Sequence, residues 1–411
     1  MAKALLLWLT ASVLFACGGG GSDHPAMSQD TPFEQQASIG RGTLLQSTWS
    51  AYPRLVRLAH QADAARNGRI VASLTENAGG IWQAGFHASQ DDGVSFTRVG
   101  TLRDSEFAKG LCCGSVFEMP HTVGTLQAGT LLFSASIGLD AVGALMEQRI
   151  YRSDDAGATF TRIEGAACGR SAVARVPGAV GSGVWEPEFF IAANGSLACI
   201  FSDETDPGHS QVLKLTTTSD GSSWSTPRVI VTGPSVSDRP GMAGVRRLPN
   251  GRYAMSFETC SVAHLDCSVR LKLSNDGLDW GALGTLGTRP QTAAGQYFRH
   301  TPTLAWLPTP GEANGTLVLI GQIVGNGAQG VDAANNGRVL FVNTTSDGSG
   351  PWRMVSAPIA LPSPPSTSNW CQNYSTPLLP SVDGHSVLLM QTDSTVDGGC
   401  NARYGRGILA D

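Results

Sequence analysis

Charge is scarce in this chain. Only 15% of its 411 residues are Asp, Glu, Lys or Arg, and 28 basic side chains face 33 acidic ones for a formal net charge of -5. Without a basic excess there is no electrostatic footprint for nucleic acid, and none is expected as a partner. Long apolar runs are also missing: after Leu14 nothing approaches the roughly 20 residues that a membrane helix needs. So few charges are incompatible with long coiled coils or with charge-driven disorder. No CxxC pair occurs, which removes the usual zinc spacing; no metal and no cofactor is expected. What is abundant is glycine, with 50 residues, and proline, with 22. Many turn-formers separated by short apolar runs predict an all-β protein.

The N-terminus is read as an address. Lys3 and the apolar stretch Ala4 to Ala16 have the length of a signal peptide rather than of a membrane span. The sequence Leu14-Phe15-Ala16-Cys17 ahead of a glycine run resembles a bacterial lipobox, in which the cysteine is lipidated and becomes the new N-terminus. Residues 1–16 are therefore expected to be removed and residues 17–35 to form a lipidated flexible tether. The implied location is that of an exported bacterial lipoprotein of the outer membrane or cell surface, held to the membrane by its lipid. Residues 36–411 are expected to fold as a single, monomeric domain.

Eight cysteines follow Cys17, and an even number in an exported chain suggests disulfides. Cys260 and Cys267 flank an expected hairpin turn, and Cys371 and Cys400 flank the strands around Asp383-Gly384. These two pairs are expected to be bonded. Cys112, Cys113, Cys168 and Cys199 allow three pairings, among which the sequence does not choose.

The chain repeats. A turn dipeptide followed by an alternating strand occurs at Asn67-Gly68, Ala128-Gly129, Asn194-Gly195, Asn250-Gly251, Asn314-Gly315 and Asp383-Gly384. Their glycines are 61, 66, 56, 64 and 69 residues apart. Such dipeptides supply the positive φ angles of tight hairpins. A second marker follows each of the first five. It reads Ser89-x-Asp91-x-Gly93-x-x-Phe96 and Ser153-x-Asp155-x-Gly157-x-x-Phe160. Weaker copies are Thr217-x-Ser219-x-Gly221-x-x-Trp224, Leu273-x-Asn275-x-Gly277-x-x-Trp280 and Ser346-Asp347-Gly348 to Trp352. Two hairpins per period of about 63 residues predict a six-bladed β-propeller of four-stranded antiparallel blades. The last strands are expected at 385–393 and 404–410, with residues 40–50 completing the ring.

The second marker resembles the Asp box of sialidase-like propellers, a structural turn lying away from the catalytic face. A propeller does not name a chemistry. Candidate segments are Tyr52-Pro53-Arg54-Leu55, the CGS-to-MP stretch at 113–120, Trp185-Glu186-Pro187, Ser202-Asp203-Glu204, Arg239-Pro240-Gly241-Met242, Phe257-Glu258-Thr259-Cys260, Arg299-His300 and Asn373-Tyr374-Ser375. Taken together and in blade order, these resemble glycoside hydrolase family 93, the exo-acting α-L-arabinanases. That resemblance implies a retaining mechanism, with Glu186 as acid/base and Glu258 as nucleophile. It implies an oligo- or polysaccharide substrate, most readily α-1,5-linked arabinan. Tyr374 is expected near the reaction centre, and Arg54, Asp203, Glu204, Arg239 and Arg299 are candidate substrate contacts. A retaining glycosidase needs two carboxyls about 5–5.5 Å apart, one protonated and one ionised. The bland alternatives are that Glu186 caps a turn beside Pro187, with Glu188 equally acidic, and that Asp203-Glu204 is a solvated turn.

A sialidase is the alternative enzyme. Arg54, Arg239 and Arg299 would grip a carboxylate, Tyr374 would be the nucleophile and Glu258 its base. Its aspartate acid has no clear counterpart near Thr75-Glu76-Asn77, and the YPRL order departs from the sialidase Arg-Ile-Pro. A non-enzymatic carbohydrate-binding propeller is the third reading. The lipobox reading is directly testable: Cys17→Ser is expected to move the protein from the membrane to the soluble fraction, as read by fractionation of expressing cells.

Overall fold

The computed structural model describes residues 40–261, 267–327, 330–360 and 369–409. The signal segment, Cys17 and the 17–35 tether lie outside the described residues. The chain forms a six-bladed propeller of antiparallel sheets. The first blade is Trp49–Arg57, Ile70–Ala78, Ile81–Ser89 and Thr97–Leu102. The inner strands of the other blades are Leu111–Glu118, Val184–Ile191, Asp238–Arg247, Thr303–Leu307 and Leu378–Pro380. The sixth blade continues through Ser386–Ser394 and Cys400–Ile408 and takes its outer strand, Thr43–Leu44, from the other end of the chain. This is the ring closure expected at 40–50, and the last strand begins four residues earlier than expected.

Each blade covers its neighbour. Phe86 and Val71 of the first blade pack with Phe133 and Leu131 of the second. Ile70 and Leu74 pack in turn with Leu388 and Met390 of the sixth. The other interfaces are built alike, so the core is a series of apolar layers between blades. The two expected disulfides are present, and Cys168–Cys199 joins the second and third blades. The Cys168–Cys199 and Cys371–Cys400 pairs span 31 and 29 residues. Bridges closing loops of that length are worth about 3–4 kcal/mol.

The sheet of the fourth blade runs beyond four strands. Past Ser268–Ser274 only the bridge Leu271–Thr288 stands where an outer strand would be. Gly281, Gly284, Gly287 and Pro290 crowd this stretch, and proline and glycine both weaken a ladder. The sheet instead extends from Ser268 to Tyr297–Arg299, then to Ile323–Asn326 and Gly330–Val331. The residues just after Tyr297–Arg299 reach Glu258, as described below.

The second marker folds as a hydrogen-bonded turn. Ser89 Oγ donates to Asp91 (2.7 Å) and accepts from the Gly93 amide (2.7 Å), and Ser153, Asp155 and Gly157 repeat this. In the third and fourth copies the sequence register is off by one. The working residues are Thr218 with Asp220, and Ser274 with Asp276. There the glycine comes three residues after the hydroxyl instead of four, because the turn is one residue shorter. Phe160 of the second copy stacks on Phe86 of the preceding blade, with ring centroids 4.1 Å apart.

These turns press on backbone. A Cβ at Gly100 would lie 2.1 Å from the Gly157 carbonyl oxygen of the next blade, whereas Gly251, at φ 82°, has nothing within 4 Å. Gly251→Ala tests backbone conformation alone and should cost about 1 kcal/mol. Gly100→Ala should cost more, about 2–3 kcal/mol, because two blades must separate. Urea unfolding of both variants checks the order.

Candidate active site

The inner strands do not run straight to the axis. Their pairing shifts register between Ala51 and Arg54, Cys112 and Ser115, Trp185 and Glu188, and Gly241 and Gly244. Inside each shift one non-glycine residue takes a left-handed backbone: Tyr52 (φ 53°), Cys113 (63°), Glu186 (55°) and Met242 (57°). In the last two blades left-handed residues stand just ahead of the inner strand, at His300, Thr301, Asn373 and Ser375. Such a conformation costs of order 1–3 kcal/mol each and persists only where the surroundings impose it. A bulge also re-aims a side chain that the two-residue alternation would have sent elsewhere. At least one such residue per blade, in or just ahead of the inner strand, therefore forms a ring around the axis.

The ring has an apolar lining. Tyr52, Cys113 and Met242 make one buried cluster, against which Cys112, Trp185 and Tyr374 pack. The Arg54 guanidinium lies over the Tyr52 ring at 4.1 Å. Tyr374 stands 6.3 Å from Tyr52 and nearly parallel to the exposed Trp370 ring, at 6.1 Å. Burial, and then the charges of Glu258 and Glu186, hold the Tyr374 phenol well above its ordinary range, so it stays protonated.

Two carboxyls are set into this lining. Glu186 accepts hydrogen bonds from Ser202 Oγ (2.6 Å) and the Met242 amide (3.3 Å). Burial pushes its pKa up to about 7, and the nearby Glu204 charge adds to the rise. Glu258, on Tyr253–Ser261, pairs across the sheet with Gly241 and accepts the Thr301 amide at 2.6 Å. Its pKa is pushed up to about 8, first by burial and then by the charge of Glu186. The Glu258 side chain still keeps 13% of its surface, so it is deep but reachable. The His300 Nδ1 lies 3.9 Å from it.

Glu186 and Glu188 differ in their partners. Glu188 points into a cavity of about 630 Å³ along the axis, lined by all six inner strands. There it pairs with Arg246 (2.7 Å) and approaches Ser115 (3.4 Å). Among the described residues Glu186 accepts hydrogen bonds from neutral donors, and burial outweighs both these bonds and the Arg54 charge, all of which favour its ionised form.

The other candidates are more committed. Asp203 is buried, with one oxygen taken by Thr205 and the other by Lys214 (2.8 Å), so it is not a solvated turn. Glu204 pairs with Arg239, which also donates to Gln211 and Ser210. Arg54 donates to the carbonyls of Pro53 and Ser375, and Arg299 is buried in its short strand between Ser268 and Ile323. At least two of the three arginines that a carboxylate-gripping site would present are thus already occupied. The Cys260 and Cys267 sulfurs and His300 come within 4.8 Å of one another, but sulfurs in a disulfide are not thiolate ligands.

Sequence reasoning placed Ser202 and Met242 in its candidate segments without a role for either, and missed Thr301 as a partner of Glu258. It also left the Cys112–Cys113 bond open. No pattern in the sequence marks a donor supplied by the paired strand, as with Ser202, or from beyond the sheet's own hairpin, as with Thr301.

No protein-family model and no curated protein matches this chain. Solved structures do. An α-L-arabinanase of Penicillium chrysogenum, solved with arabinobiose, is 22% identical with a TM-score of 0.73, over 90% of this chain and 97% of that one. A family 93 α-L-arabinofuranosidase of Fusarium graminearum, also with arabinobiose, is 20% identical with a TM-score of 0.71, over 90% and 98%. A protein of unknown function from Dyadobacter fermentans is 12% identical with a TM-score of 0.52, over 89% and 97%. The likeness shows a shared propeller fold running through nearly the whole of each chain.

The raised glutamates have a consequence for stability. A carboxyl whose pKa is higher folded than unfolded binds more protons in the folded state, so stability falls as pH rises from about 4.5 toward 8. Glu258→Gln removes the buried charge. Its melting temperature should match the wild type near pH 4 and exceed it by roughly 2–4 °C at pH 8, as read by calorimetry.

Proposed function

We propose that this chain is a retaining, exo-acting glycoside hydrolase that releases short arabino-oligosaccharides from α-1,5-linked L-arabinan. The observation that carries the reading is the pair of largely buried glutamates on adjacent blades, Glu186 accepting from Ser202 and the Met242 amide and Glu258 from the Thr301 amide, beside the ring of bulges. The likeness to arabinanase folds and the family resemblance of the WEP and FETC segments supply the substrate class and the roles.

In the proposed reaction Glu258 attacks the anomeric carbon while Glu186 gives its proton to the departing glycosidic oxygen. A covalent glycosyl-enzyme results. Glu186, now ionised, takes a proton from water, which attacks the same carbon and frees Glu258. Two acids that raise one another lose their protons in steps that belong to the pair. The working state carries one proton, on Glu186, so kcat/KM should be bell-shaped, with both limbs above the ordinary carboxyl range because burial raises both acids. The Thr301 amide holds the Glu258 carboxylate in place and favours its ionised form. Glu204, tied to Arg239, supplies a charge that favours the protonated form of Glu186.

Tyr374 keeps the sialidase alternative in view, because it stands against both glutamates. A phenol held protonated is a poor nucleophile, and Glu258 is the more direct one.

The test uses linear arabinan and an aryl α-L-arabinofuranoside. Glu258→Ala should lower turnover by at least about 10⁴-fold on both. Glu186→Ala should keep most of its rate of intermediate formation on the aryl substrate and lose arabinan hydrolysis, and azide should partly restore deglycosylation. Proton NMR of the first product should show retained configuration. An inverted product, or loss of activity in Tyr374→Phe with Glu186→Ala still active on arabinan, would overturn the assignment.

A further inference from the structure

Cys112 and Cys113 are bonded to each other. A bridge between chain neighbours closes no loop, so it removes almost no freedom from the unfolded chain, unlike the 31-residue span of Cys168–Cys199. Their Cα atoms are 3.8 Å apart, the ordinary spacing across a trans peptide. Holding the fold together is therefore not what this bond adds. Its position suggests what is. It occupies the bulge of the second blade, and Cys113 takes the place in that blade which Glu186 takes in the third. Gly114 fixes this seat, because a Cβ there would stand 2.7 Å from the Phe133 ring. Cys113 is buried in the lining with Tyr52 and Met242, while Cys112 keeps part of its surface open.

We propose that the Cys112–Cys113 disulfide is a substrate platform: a rigid, donor-free sulfur surface in the lining beside Glu186, against which the C–H face of an arabinofuranose ring packs. Closing the two side chains into one ring removes their S–H groups and their rotamer freedom. What remains is a polarizable patch flanked by Trp185 and Tyr374. A sugar ring has an apolar face and hydroxyl edges, and such a patch accepts only the former. The bond thus selects the orientation in which the sugar lies next to Glu186. The inference rests on the glycosidase reading above.

Two experiments on the whole protein test it, with arabinobiose as the probe. In the first, the wild type is treated with a phosphine, which reduces a disulfide to two thiols as it takes up oxygen from water. Freed thiols are then alkylated and mapped by mass spectrometry. Saturating arabinobiose should slow labelling of Cys112 and Cys113 about fivefold or more and leave Cys168 and Cys199 unchanged. In the second, the Cys112→Ala/Cys113→Ala variant should raise KM for arabino-oligosaccharides roughly tenfold with a smaller change in kcat, at nearly unchanged melting temperature. Cys168→Ala/Cys199→Ala should show the reverse, a lower melting temperature and unchanged KM. Equal labelling rates with and without bound arabinobiose would overturn the platform, as would a Cys112/Cys113 variant that loses stability but keeps its KM. If that variant does not fold, the labelling decides. If calorimetry detects no arabinobiose binding to the wild type at all, the glycosidase reading fails and the platform falls with it.

Discussion

A blade of this protein is a sheet with two apolar faces and no means of covering either. Everything else follows from that constraint. The faces are buried only by neighbouring blades, so none has a core of its own and the ring must close. Closure is made by the short strand Thr43–Leu44 on Cys400–Ile408, reinforced by Ser50 Oγ accepting the Ala402 amide and by an Arg41–Asp393 ion pair. The chain ends thereby meet in one sheet, and hydrogen bonds there hold six layers of hydrophobic burial in place.

Closing a ring of sheets also concentrates chemistry. Six inner strands converge on one axis, where their ends have little room for regular alternation. Each yields by adopting a left-handed residue, in the inner strand or just ahead of it, and these positions line the site. Backbone strain of this kind is carried by the interblade layers, which are extensive enough to hold it. Glu186 is one of these residues. Glu258 is not; it comes from the second strand of the next blade, opposite Gly241, beside the fourth blade's bulge. The two carboxyls are thus brought together by the contact between two blades, and burial between those blades is what raises their proton affinity.

The same contact explains how the site's groups divide. Acids given a cation, such as Glu188 with Arg246 and Asp203 with Lys214, are charged struts around the axis. Glu186 and Glu258 accept from hydroxyl and amide donors instead, and burial raises the proton affinity of both. The distinction lies in the partner, not in the residue type.

That is also the division between what could be read in the chain and what could not. The sequence by itself determined the propeller and its six blades. Turn glycines need positive φ and hairpins need alternation, and both are local properties that repeat with the period. It determined the Cys260–Cys267 and Cys371–Cys400 pairs, whose partners flank local hairpins, and it pointed to Glu186 and Glu258 through family resemblance. It misplaced the third and fourth marker turns by one residue. Only the tertiary structure set Glu186 and Glu188, two residues apart on one strand, in different surroundings, because a bulge places the first in the ring of left-handed residues and leaves the second in the axial cavity. Only the tertiary structure joined Cys112 to Cys113, committed Asp203 and Arg239 to other side chains, and supplied Ser202 and Thr301. These outcomes depend on which groups paired strands and neighbouring blades place side by side, and that is a property of the folded ring rather than of the local sequence pattern.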